Sequence, residues 1–393
     1  MLIEGAPWND CHHRSLLPDC EEYTQDDLYH PSVFEFLSNT VNTVDSERNL
    51  SNIEETIAIN ISTKTNVVEN IYVGKGCSPS ELEIYNALFR EFRDVFAWSY
   101  DEMPGIDSSI VEHEIKMYPD VKPVRQRLRQ VHPKKAVAIK AEVEKLLHAG
   151  FIYPVPLTDW VSNIVPVMKK QGTIRVCVDY RDVNQACPKD NYPTPFIDQI
   201  IDECAGCEIF SFMDGFSEYN QINIFPQDQS KTTFICPWGT FAYRELPFSL
   251  KNVGETFQRA MNYAFHDIKN IFQPYLDDLP AHSRKRTDHP QHLRAIFLRC
   301  RHYKIRLNPH KCVFCVGSGR LLGFVVSKDG IRLDPCKVQA IINLPPPSNL
   351  LKIQKLQGKA NFLRRFIPNY AELAKGYTRL LKKDVPFIWD QVA

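Results

Sequence analysis

The sequence of 393 residues has no long apolar run and no export signal. No stretch approaches the roughly 18 apolar residues that a membrane-spanning helix needs. The N-terminal segment "MLIEGAPWNDCHH" lacks a basic region followed by an apolar one. An Asp-Ser/Thr-Gly triplet and a phosphate-binding loop are also missing. These absences argue against a membrane partner, a secreted protein, an aspartic protease and a P-loop enzyme.

The chain has little that suggests a structural metal. Its twelve cysteines are scattered, which is typical of reduced intracellular thiols. Two Cys-x-x-Cys pairs occur, Cys204/Cys207 and Cys312/Cys315, far apart and inside sequence that is typical of sheets or turns. Ordinary buried cysteine explains these pairs better than a zinc site does.

The net charge of zero hides a strong polarity along the chain. Residues 1–60 carry twelve Asp/Glu and two Lys/Arg, which leaves residues 61–393 with a net charge of +10 out of the 47 of each sign. Residues 281–320 contain ten Lys/Arg and a single acid, Asp288. Such a stretch is either a solvated helical face or a surface for a phosphate backbone, and the charge pattern favours nucleic acid.

The sequence changes character near residue 76. Residues 1–75 are acidic with little periodicity and predict a poorly ordered leader or linker. Ser78, Pro79 and Glu81 then form the signature of a helix start with a capping box. A second amphipathic helix, "KKAVAIKAEVEKLLHAGFI", is expected to end at Gly150.

Strand and helix signals alternate irregularly in the rest of the chain. Hairpins are predicted around Gln171-Gly172, Trp238-Gly239-Thr240 and Asp329-Gly330. Helices are predicted from about Val253 to Asp267 and, capped by Ser348, to about Tyr370. Because no regular βαβ alternation is present, the fold class is predicted to be α+β.

Three aspartates are the strongest candidates for chemistry. Asp214 ends the apolar strand 209–213, and Asp277-Asp278 lie at the expected tip of a hairpin after "IFQPYL". If the two elements are neighbours in one antiparallel sheet, the carboxylates converge and repel unless divalent cations neutralise them. Hard oxygen ligands favour two Mg²⁺ or Mn²⁺ ions, about 3.5–4 Å apart, for in-line phosphoryl transfer.

A simpler interpretation of these aspartates exists. Asp214 would cap a helix, and Asp277-Asp278 would turn a hairpin, as adjacent aspartates often do. The same pair occurs at Asp26-Asp27, where nothing nearby suggests chemistry. On spacing alone, this simpler interpretation is the better one.

The order of motifs along the chain reverses this judgement. From about Leu88 onward, the sequence resembles the reverse transcriptase of plant gypsy-type LTR retrotransposons. The segments that carry the resemblance are, in order, "EFRDVFAWSYDEMPGID", "EVEKLLHAGFI", "NIVPVMKKQGTIRVCVDYRDVNQACPKDNYPTP", "FSFMDGFSEYNQI", "KTTFICPWGTFAYRELPFSLKNVGETFQRAMN", "YLDD", "LNPHKCVF" and "LLGFVVSKDGI".

The resemblance implies a right-hand polymerase with fingers, a palm of antiparallel sheet plus helices, and a thumb. A helical extension at 76–120 would precede the fingers and palm at 121–285. The thumb, at 286–345, would begin with the basic helix after His289 and hold the template–primer backbone. Residues 346–393 would form a connection segment leading to an absent RNase H domain. The implied partners are an RNA or DNA template–primer and dNTPs, with no membrane and an open oligomeric state.

The resemblance also implies roles for individual aspartates. Asp214 and Asp277 match the ligands of both metal ions, with help from the backbone carbonyl of Gly215. Asp278 matches the assisting second aspartate of the Tyr-x-Asp-Asp motif.

Further residues match the nucleotide site of the family. Tyr219 matches the aromatic residue that discriminates against a ribose 2′-hydroxyl, and Phe248 borders the nucleotide pocket. Lys169 or Lys170, together with Arg175, match the fingers residues that bind the triphosphate. Each has a simpler alternative, since Tyr219 would also suit a core and Arg175 an exposed strand.

The sequence departs from the family at four positions near this site. Glu218 replaces a glycine, and Ser249 replaces the glycine of Pro-Phe-Gly. Pro274 and Pro280 flank the aspartate pair and are each expected to remove a donor from a palm strand. We therefore predict an RNA-directed DNA polymerase with impaired catalysis; the alternative is an inactive relic that folds and binds template–primer.

Overall fold

The structure is a computed structural model that describes residues 53–168, 174–382 and 385–389. Most of the predicted acidic leader, residues 1–52, and the candidate lysines Lys169 and Lys170 lie outside these ranges. No helix within the described ranges has the length and apolar character needed to cross a membrane.

The described ranges form thirteen strands and nine helices. The strands are β1 Thr56–Asn60, β2 Asn70–Gly74, β3 Ile152–Pro154, β4 Ser162–Met168, β5 Ile174–Val178, β6 Ile209–Met213, β7 Phe234–Cys236, β8 Gly239–Tyr243, β9 Leu279–Ser283, β10 Val313–Val316, β11 Ser318–Leu321, β12 Phe324–Ser327 and β13 Gly330–Leu333. The helices are α1 Pro79–Glu91, α2 Pro133–His148, α3 Arg181–Ala186, α4 Ile197–Cys204, α5 Val253–Phe265, α6 His289–His302, α7 Pro335–Ile342, α8 Leu350–Leu363 and α9 Tyr370–Thr378.

One five-stranded sheet has the order β1-β2-β10-β6-β9. Its central strand β10 runs antiparallel to β6 and parallel to β2, and β6 pairs with β9 along its whole length. The register of this last pair places Met213 opposite Leu279, at the end of both strands. The residues that follow β6 and precede β9 are therefore neighbours, and these are the predicted catalytic aspartates.

A second five-stranded sheet has the order β3-β8-β7-β4-β5, and in the sequence β6 of the first sheet lies between its strands β5 and β7. Strands β4 and β5 pair antiparallel, as the hairpin around Gln171-Gly172 predicted. Strands β7 and β8 pair around the predicted turn at Gly239, which has φ +146. A three-stranded sheet of β11, β12 and β13 follows, and then the helices α7 to α9.

The two faces of strand β6 contact different cores because successive side chains point to opposite sides of a strand. Ile209 and Met213 lie in the main hydrophobic core, together with aromatic residues of α1 and α6. Phe210 and Phe212 lie in a smaller core with residues of α4 and the three-stranded sheet. All five residues of β6 are buried, so the strand that ends at Asp214 is held on both faces.

Local signals in the sequence were reliable where they were strong. The Ser78 side chain accepts from the Glu81 N–H, and the Glu81 carboxylate accepts from the Ser78 N–H, which confirms the capping box of α1. The Asp329-Gly330 turn joins β12 and β13, with Gly330 at φ +112. All four cysteines of the two Cys-x-x-Cys pairs are free thiols with at most 1% exposure, which confirms their interpretation as buried residues.

The predicted boundary of the leader near residue 75 needs correction. Residues 56–60 and 70–74 are strands, and β2 is hydrogen-bonded to both β1 and β10. Ile71 and Val73 are fully buried in the main core. The ordered unit therefore begins at least as early as Thr56, because β1 and β2 are part of the five-stranded sheet that contains β6 and β9.

The predicted start of the thumb at residue 286 also needs correction. Helix α6 packs on β9, and β10 pairs with β6 inside the five-stranded sheet. A boundary at 286 would therefore cut through one continuous sheet and its covering helix. The structure changes to a separate sheet only after β10, at Ser318.

The predicted nucleic-acid face of α6 is occupied by protein acids. Both guanidinium nitrogens of Arg294 donate to the Glu91 carboxylate, at 2.6 and 2.7 Å. Arg301 is paired with Asp94 at 2.5 Å, and Arg299 is paired with Asp267. These ion pairs attach α6 to the end of α1, to the segment after α1 and to the segment after α5, so in this arrangement the three arginines are paired with protein acids.

The last predicted helix is also different in detail. Its cap is Asn349, whose side chain accepts from the Lys352 N–H at 2.9 Å, rather than Ser348. The helix ends at Leu363, and a separate helix begins at Tyr370.

Candidate active site

Two main-chain hydrogen bonds fix the turn that contains Asp214. The Asp214 carbonyl accepts from the Asn308 N–H at 2.8 Å, and the Phe216 N–H donates to the Arg306 carbonyl at 2.8 Å. Gly215 forms an isolated bridge with Leu307 between these two bonds. The turn after β6 is therefore fixed to the segment that precedes β10.

The Gln221 side chain adds hydrogen bonds between the Asp214 turn and the segment that precedes β10. Its amide nitrogen donates to the carbonyls of Phe216 and Arg306, both at 2.9 Å. Its amide oxygen accepts from the Arg306 N–H at 2.7 Å. Gln221 is only 1% exposed, so all three bonds are protected from water and hold the Asp214 turn rigidly.

The Asp277-Asp278 pair lies in a tight turn. Tyr275 and Asp278 exchange two main-chain hydrogen bonds of 2.9 Å, which leaves Leu276 and Asp277 as the two turn residues. Leu276 has φ +49, an unusual value for a branched residue. Asp277 is thus at the tip, and Asp278 is the first paired residue after it.

The two elements bring the three aspartates together. The pKa of Asp278 is raised to about 7, first by burial and then by the negative charges of Asp277 and Asp214. Such an effect requires the three carboxylates to be close to one another. The register of β6 with β9 and this electrostatic effect place the three aspartates at the same end of the sheet, and their metal-binding role stays a prediction.

A buried hydrogen-bond chain holds β6 and β9 together behind these aspartates. The His289 ring, which is fully buried, lies 2.8 Å from Ser211 Oγ through Nε2 and 2.7 Å from Ser283 Oγ through Nδ1. Ser211 belongs to β6 and Ser283 to β9, and the Cys315 N–H donates to Ser211 Oγ at 3.0 Å. Helix α6 therefore fixes the spacing of three strands of the sheet.

Two further residues complete the charged group, which we call the carboxylate cluster: Asp214, Glu218, Asp277, Asp278 and Lys311. The Lys311 ammonium lies 3.2 Å from both carboxylate oxygens of Asp214 and 3.8 Å from Glu218 Oε1. Burial alone would lower the pKa of Lys311, but the charges of Glu218 and Asp214 raise it above its ordinary value. Lys311 is therefore a cation at neutral pH.

Glu218 is the unusual member of the carboxylate cluster. It is only 5% exposed, and its pKa is raised well above the ordinary value by burial and then by Asp277 and Asp214. Its stem lies over Gly215, where an added Cβ would come within 3.0 Å of Glu218 Cγ. Gly215 therefore has no room for a side chain beside Glu218.

The donor set of the cluster suits a hard divalent cation, since carboxylate oxygens are the ligands that Mg²⁺ and Mn²⁺ prefer. The mutual repulsion of Asp214, Asp277 and Asp278 shows an excess of negative charge that a cation would relieve. No set of three His, Cys, Asp or Glu side chains in the described ranges is already arranged around a metal position. The Lys311 ammonium takes a cation's position at Asp214 instead.

The predicted nucleotide-site residues are partly brought together. The rings of Tyr219 and Phe248 meet edge to face with centroids 5.3 Å apart, and Tyr219 also contacts Phe257 at 5.5 Å. Ser249 has φ +75, a backbone conformation that favours glycine. Arg175 lies in β5 opposite Val167.

The flanking prolines lie at less damaging positions than expected. The His282 N–H donates to the Ile271 carbonyl at 3.1 Å, on the outer side of β9. Main-chain groups of alternate strand residues point to the same side, so the nitrogen of Pro280 also faces outward and away from β6. Pro280 therefore removes no donor from the ladder between β6 and β9.

Pro274 is accommodated in a different way. It precedes the paired residue Tyr275, so its nitrogen points out of the hairpin. Its carbonyl accepts from the buried Gln258 amide at 2.9 Å, and the same Gln258 accepts from the Leu276 N–H at 2.9 Å. The expectation that each proline removes a donor from a palm strand is therefore wrong for Pro274 and for the ladder between β6 and β9. On the outer side of β9, Pro280 lies between two paired positions and offers no donor to the other arm of the hairpin.

Sequence reasoning missed Lys311 and Gln221. Lys311 lies in the segment "LNPHKCVF", which carried the resemblance, but it is 97 residues from Asp214 and no local pattern assigns it a role. Gln221 is an isolated polar residue whose function depends on carbonyls of a distant segment. Only the pairing of β6 with its neighbours brings these groups together.

Comparisons with known proteins agree with this geometry. Residues 167–326 match the family model for reverse transcriptase (RNA-dependent DNA polymerase). The chain is 33% identical over 261 residues to the retrovirus-related Pol polyprotein from transposon 297 of Drosophila melanogaster, covering 65% of this chain and 24% of that protein. It is 28% identical over 308 residues to the transposon Tf2-3 polyprotein of Schizosaccharomyces pombe, covering 77% and 23%.

Solved structures show the same fold. The foamy viral protease-reverse transcriptase dRH in complex with double-stranded DNA matches with a TM-score of 0.70 and 21% identity, covering 80% of this chain and 55% of that one. The foamy viral enzyme in complex with an RNA/DNA hybrid matches with a TM-score of 0.66 and 20% identity, covering 80% and 42%. The predicted α+β right-hand polymerase fold is confirmed.

The sequence match to the reverse transcriptase family model covers residues 167–326, and the fold agrees with that of solved reverse transcriptase structures. Over a longer stretch, the chain is similar to retrotransposon polyproteins. The chain spans about a quarter of the length of these curated relatives.

Proposed function

We propose that this chain is the RNA-directed DNA polymerase core of an LTR retrotransposon of the plant gypsy type. It would extend the 3′-hydroxyl of a primer with dNTPs on an RNA or DNA template. The observation that carries the proposal is the convergence of Asp214, Asp277 and Asp278 at the ends of two paired strands in a reverse transcriptase domain.

Two Mg²⁺ or Mn²⁺ ions would be held by Asp214 and Asp277, with the Gly215 carbonyl and Asp278 assisting. When bound, such a pair activates an attacking hydroxyl and stabilises the leaving oxygen of an in-line phosphoryl transfer. The protein's part is to keep the carboxylates in position. The bonds from Asn308 and Gln221 do this for the Asp214 turn, and the Tyr275–Asp278 pair does it for the other side.

The incoming nucleotide would lie beside the Tyr219 and Phe248 rings. Tyr219 is fixed edge-on against Phe248 and Phe257, so its bulk can oppose a ribose 2′-hydroxyl without a hydrogen bond. Lys169, Lys170 and Arg175 would bind the triphosphate as cations. Arg175 is in β5, which pairs with β4, and the two lysines lie between these strands in the sequence.

The template–primer would lie across the sheet that bears the aspartates. The foamy viral structures contain double-stranded DNA and an RNA/DNA hybrid, which supports binding of either duplex. We keep the predicted assignment of 121–285 to fingers and palm but extend the palm through β10. The thumb would then begin after this strand rather than with α6.

The alternative, an inactive relic that still binds template–primer, is not favoured. Its main support was the effect expected from Pro274 and Pro280, and neither removes a bond between β6 and β9. Glu218 and Ser249 are the remaining departures near the site.

The test is primer extension with purified protein on oligo(dT)-primed poly(rA), in Mg²⁺ and in Mn²⁺. The control combines Asp277→Asn with Asp278→Asn, and binding of template–primer is followed in parallel. We expect extension that the double variant abolishes while binding persists. Binding without extension by the unaltered protein would establish the relic, and the loss of both in a folded protein would reject the proposal.

A further inference from the structure

The Lys311 ammonium occupies the position at Asp214 where the proposed function requires a metal ion. Its nitrogen is equidistant, at 3.2 Å, from both oxygens of the Asp214 carboxylate. The Lys311 ammonium and a divalent ion cannot both bind closely to the two oxygens of the Asp214 carboxylate. The metal ion would therefore have to compete with a cation that the protein itself supplies.

Glu218 offers the displaced ammonium a second partner. Its Oε1 lies 3.8 Å from Lys311 Nζ, slightly farther than the Asp214 oxygens. The Glu218 side chain is 7% exposed, whereas that of Lys311 is 46% exposed. The buried acid is thus fixed, and the flexible lysine head has room to move between the two carboxylates.

The backbone that bears Lys311 does not need to move. The Lys311 and Cys312 N–H groups both donate to the Asn308 carbonyl, at 3.2 and 3.0 Å, and the Asn308 N–H donates to the Asp214 carbonyl. These bonds tie the base of the lysine directly to the Asp214 turn. Rotation of the four-carbon stem is then sufficient to exchange one carboxylate for the other.

We propose that Glu218 is a positioning residue for Lys311, and that the ammonium passes from Asp214 to Glu218 when a divalent cation takes the Asp214 carboxylate. This inference rests on the proposed function and explains a residue that departs from the family, which has glycine at this position. The exchange offsets the negative charge of Glu218, and it leaves Asp214 free for the metal.

The proposal distinguishes two effects on metal affinity. Without Lys311, Asp214 has no competing cation, so affinity rises. Without the Glu218 charge, the displaced ammonium has no buried partner, so affinity falls. The effect of Glu218 on metal affinity requires Lys311, because without the lysine no ammonium moves to Glu218.

Binding of Mn²⁺ alone, measured from the electron paramagnetic resonance signal of the free ion, tests this directly. The variants are Lys311→Met, which keeps an unbranched apolar stem, and Glu218→Gln, which keeps the shape, together with the double variant. Asp214→Asn controls for the site. We expect Lys311→Met to tighten binding and Glu218→Gln to weaken it about tenfold, as for loss of a group that supports a metal site.

The double variant decides between the exchange and direct coordination. Equal affinities of Lys311→Met and of the double variant support the exchange. A further loss of affinity in the double variant would show that Glu218 is itself a ligand and would overturn the proposal. Mn²⁺ binding that depends on Asp214 but not on Glu218 would overturn the exchange alone, whereas no Mn²⁺ binding at all would reject the metal site of the proposed function as well.

Discussion

Two glutamates of this chain, Glu218, which is buried, and Glu245, which is partly buried, lie in opposite surroundings. Glu218 belongs to the carboxylate cluster, where the Lys311 ammonium is 3.8 Å from its oxygen. Glu245 follows β8, and its Oε2 is buried with no hydrogen-bond partner among the described residues. Burial raises the pKa of both, in Glu245 to about 7.

The difference shows what a buried carboxylate requires in order to be useful. In the carboxylate cluster, a nearby cation and a rigid main chain accompany the acid, so its charge can take part in function. Around Glu245, burial outweighs the backbone N–H of Glu245 and the charge of Arg244, which both favour the ionised form, so ionisation destabilises the fold. Segment 243–249, which contains Glu245 and the strained Ser249, is therefore the weak region, and the cluster is the well-supported one.

Removing the support of the carboxylate cluster should have the largest effect. Gln258 is fully buried and bonds both the Pro274 carbonyl and the Leu276 N–H. Gln258→Leu leaves both groups unpaired, so we expect a loss of about 2 kcal/mol in the free energy of unfolding. Displacement of the turn by about 1 Å should reduce primer extension roughly 100-fold.

Asn262→Ala is the matched control for this change. Asn262 lies one turn farther along α5 and accepts from Gln258, but no hydrogen bond joins it to the Tyr275–Asp278 turn. Extension rates and urea unfolding should show a much smaller effect. Equal losses in the two variants would mean that the helix, rather than its bonds to the turn, matters.

Replacing Glu245, the partly buried acid of segment 243–249, by an apolar residue should stabilise the protein. Glu245 has a folded pKa of about 7, above its ordinary 4.5, so the folded state binds its proton more tightly than the unfolded state does. Its contribution to stability is complete below about pH 4.5 and is lost as the pH rises through 7. We expect Glu245→Leu to raise the free energy of unfolding by roughly 2 kcal/mol at pH 8 relative to its effect at pH 4.5.

Denaturant unfolding at the two pH values measures this difference. Glu245→Gln serves as the control, because it removes the charge and keeps a buried polar group. An effect of Glu245→Leu that is the same at both pH values would show that folding does not raise the pKa of this acid.

The strain at Ser249 should account for a smaller effect. Its φ of +75 costs a non-glycine residue about 1 kcal/mol or more. Glycine relieves this strain, but it loses more conformational entropy on folding, which offsets part of the gain in stability. We expect Ser249→Gly to raise the free energy of unfolding by roughly 0.5–1 kcal/mol. Thermal unfolding would contradict this if the midpoint fell instead.

The smallest effect is expected from replacing Pro280 in β9, although the sequence suggested that this proline weakens strand pairing. Because the Pro280 nitrogen faces away from β6, Pro280→Leu should leave the extension rate within about twofold of the unaltered protein. A large gain in rate would restore the interpretation of an impaired copy. The carboxylate cluster, rather than segment 243–249, would then be the weaker region.

Local signals in the sequence were sufficient for much of this structure. Ser78 and Glu81 marked a helix start, and Gly239 and Gly330 marked hairpins, because each depends on neighbours within a few residues. The three aspartates were identified through motif order, and the pairing of β6 with β9 then supplied the geometry. The nucleotide roles of Tyr219 and Phe248 stay predictions.

Interactions between distant segments could not be predicted in this way. The basic face of α6 looked like a phosphate-binding surface, but two of the three acids that pair with it lie more than 200 residues earlier, as for Arg294 and Glu91 at a separation of 203. Strands β1 and β2 are each only five residues long and become recognisable through β10. Lys311 gained its meaning only when the fold placed it beside Asp214.

The pairing of β2 with β10 has a practical consequence for producing this protein. A recombinant fragment that began at the first helix would lack β1 and β2 and would leave one edge of β10 without a neighbour. Such an edge, apolar and two strands away from the outer strand β9, is a template for intermolecular strand addition and aggregation. Fragments for expression should therefore begin before Thr56, so that the protein's own strands cover this edge.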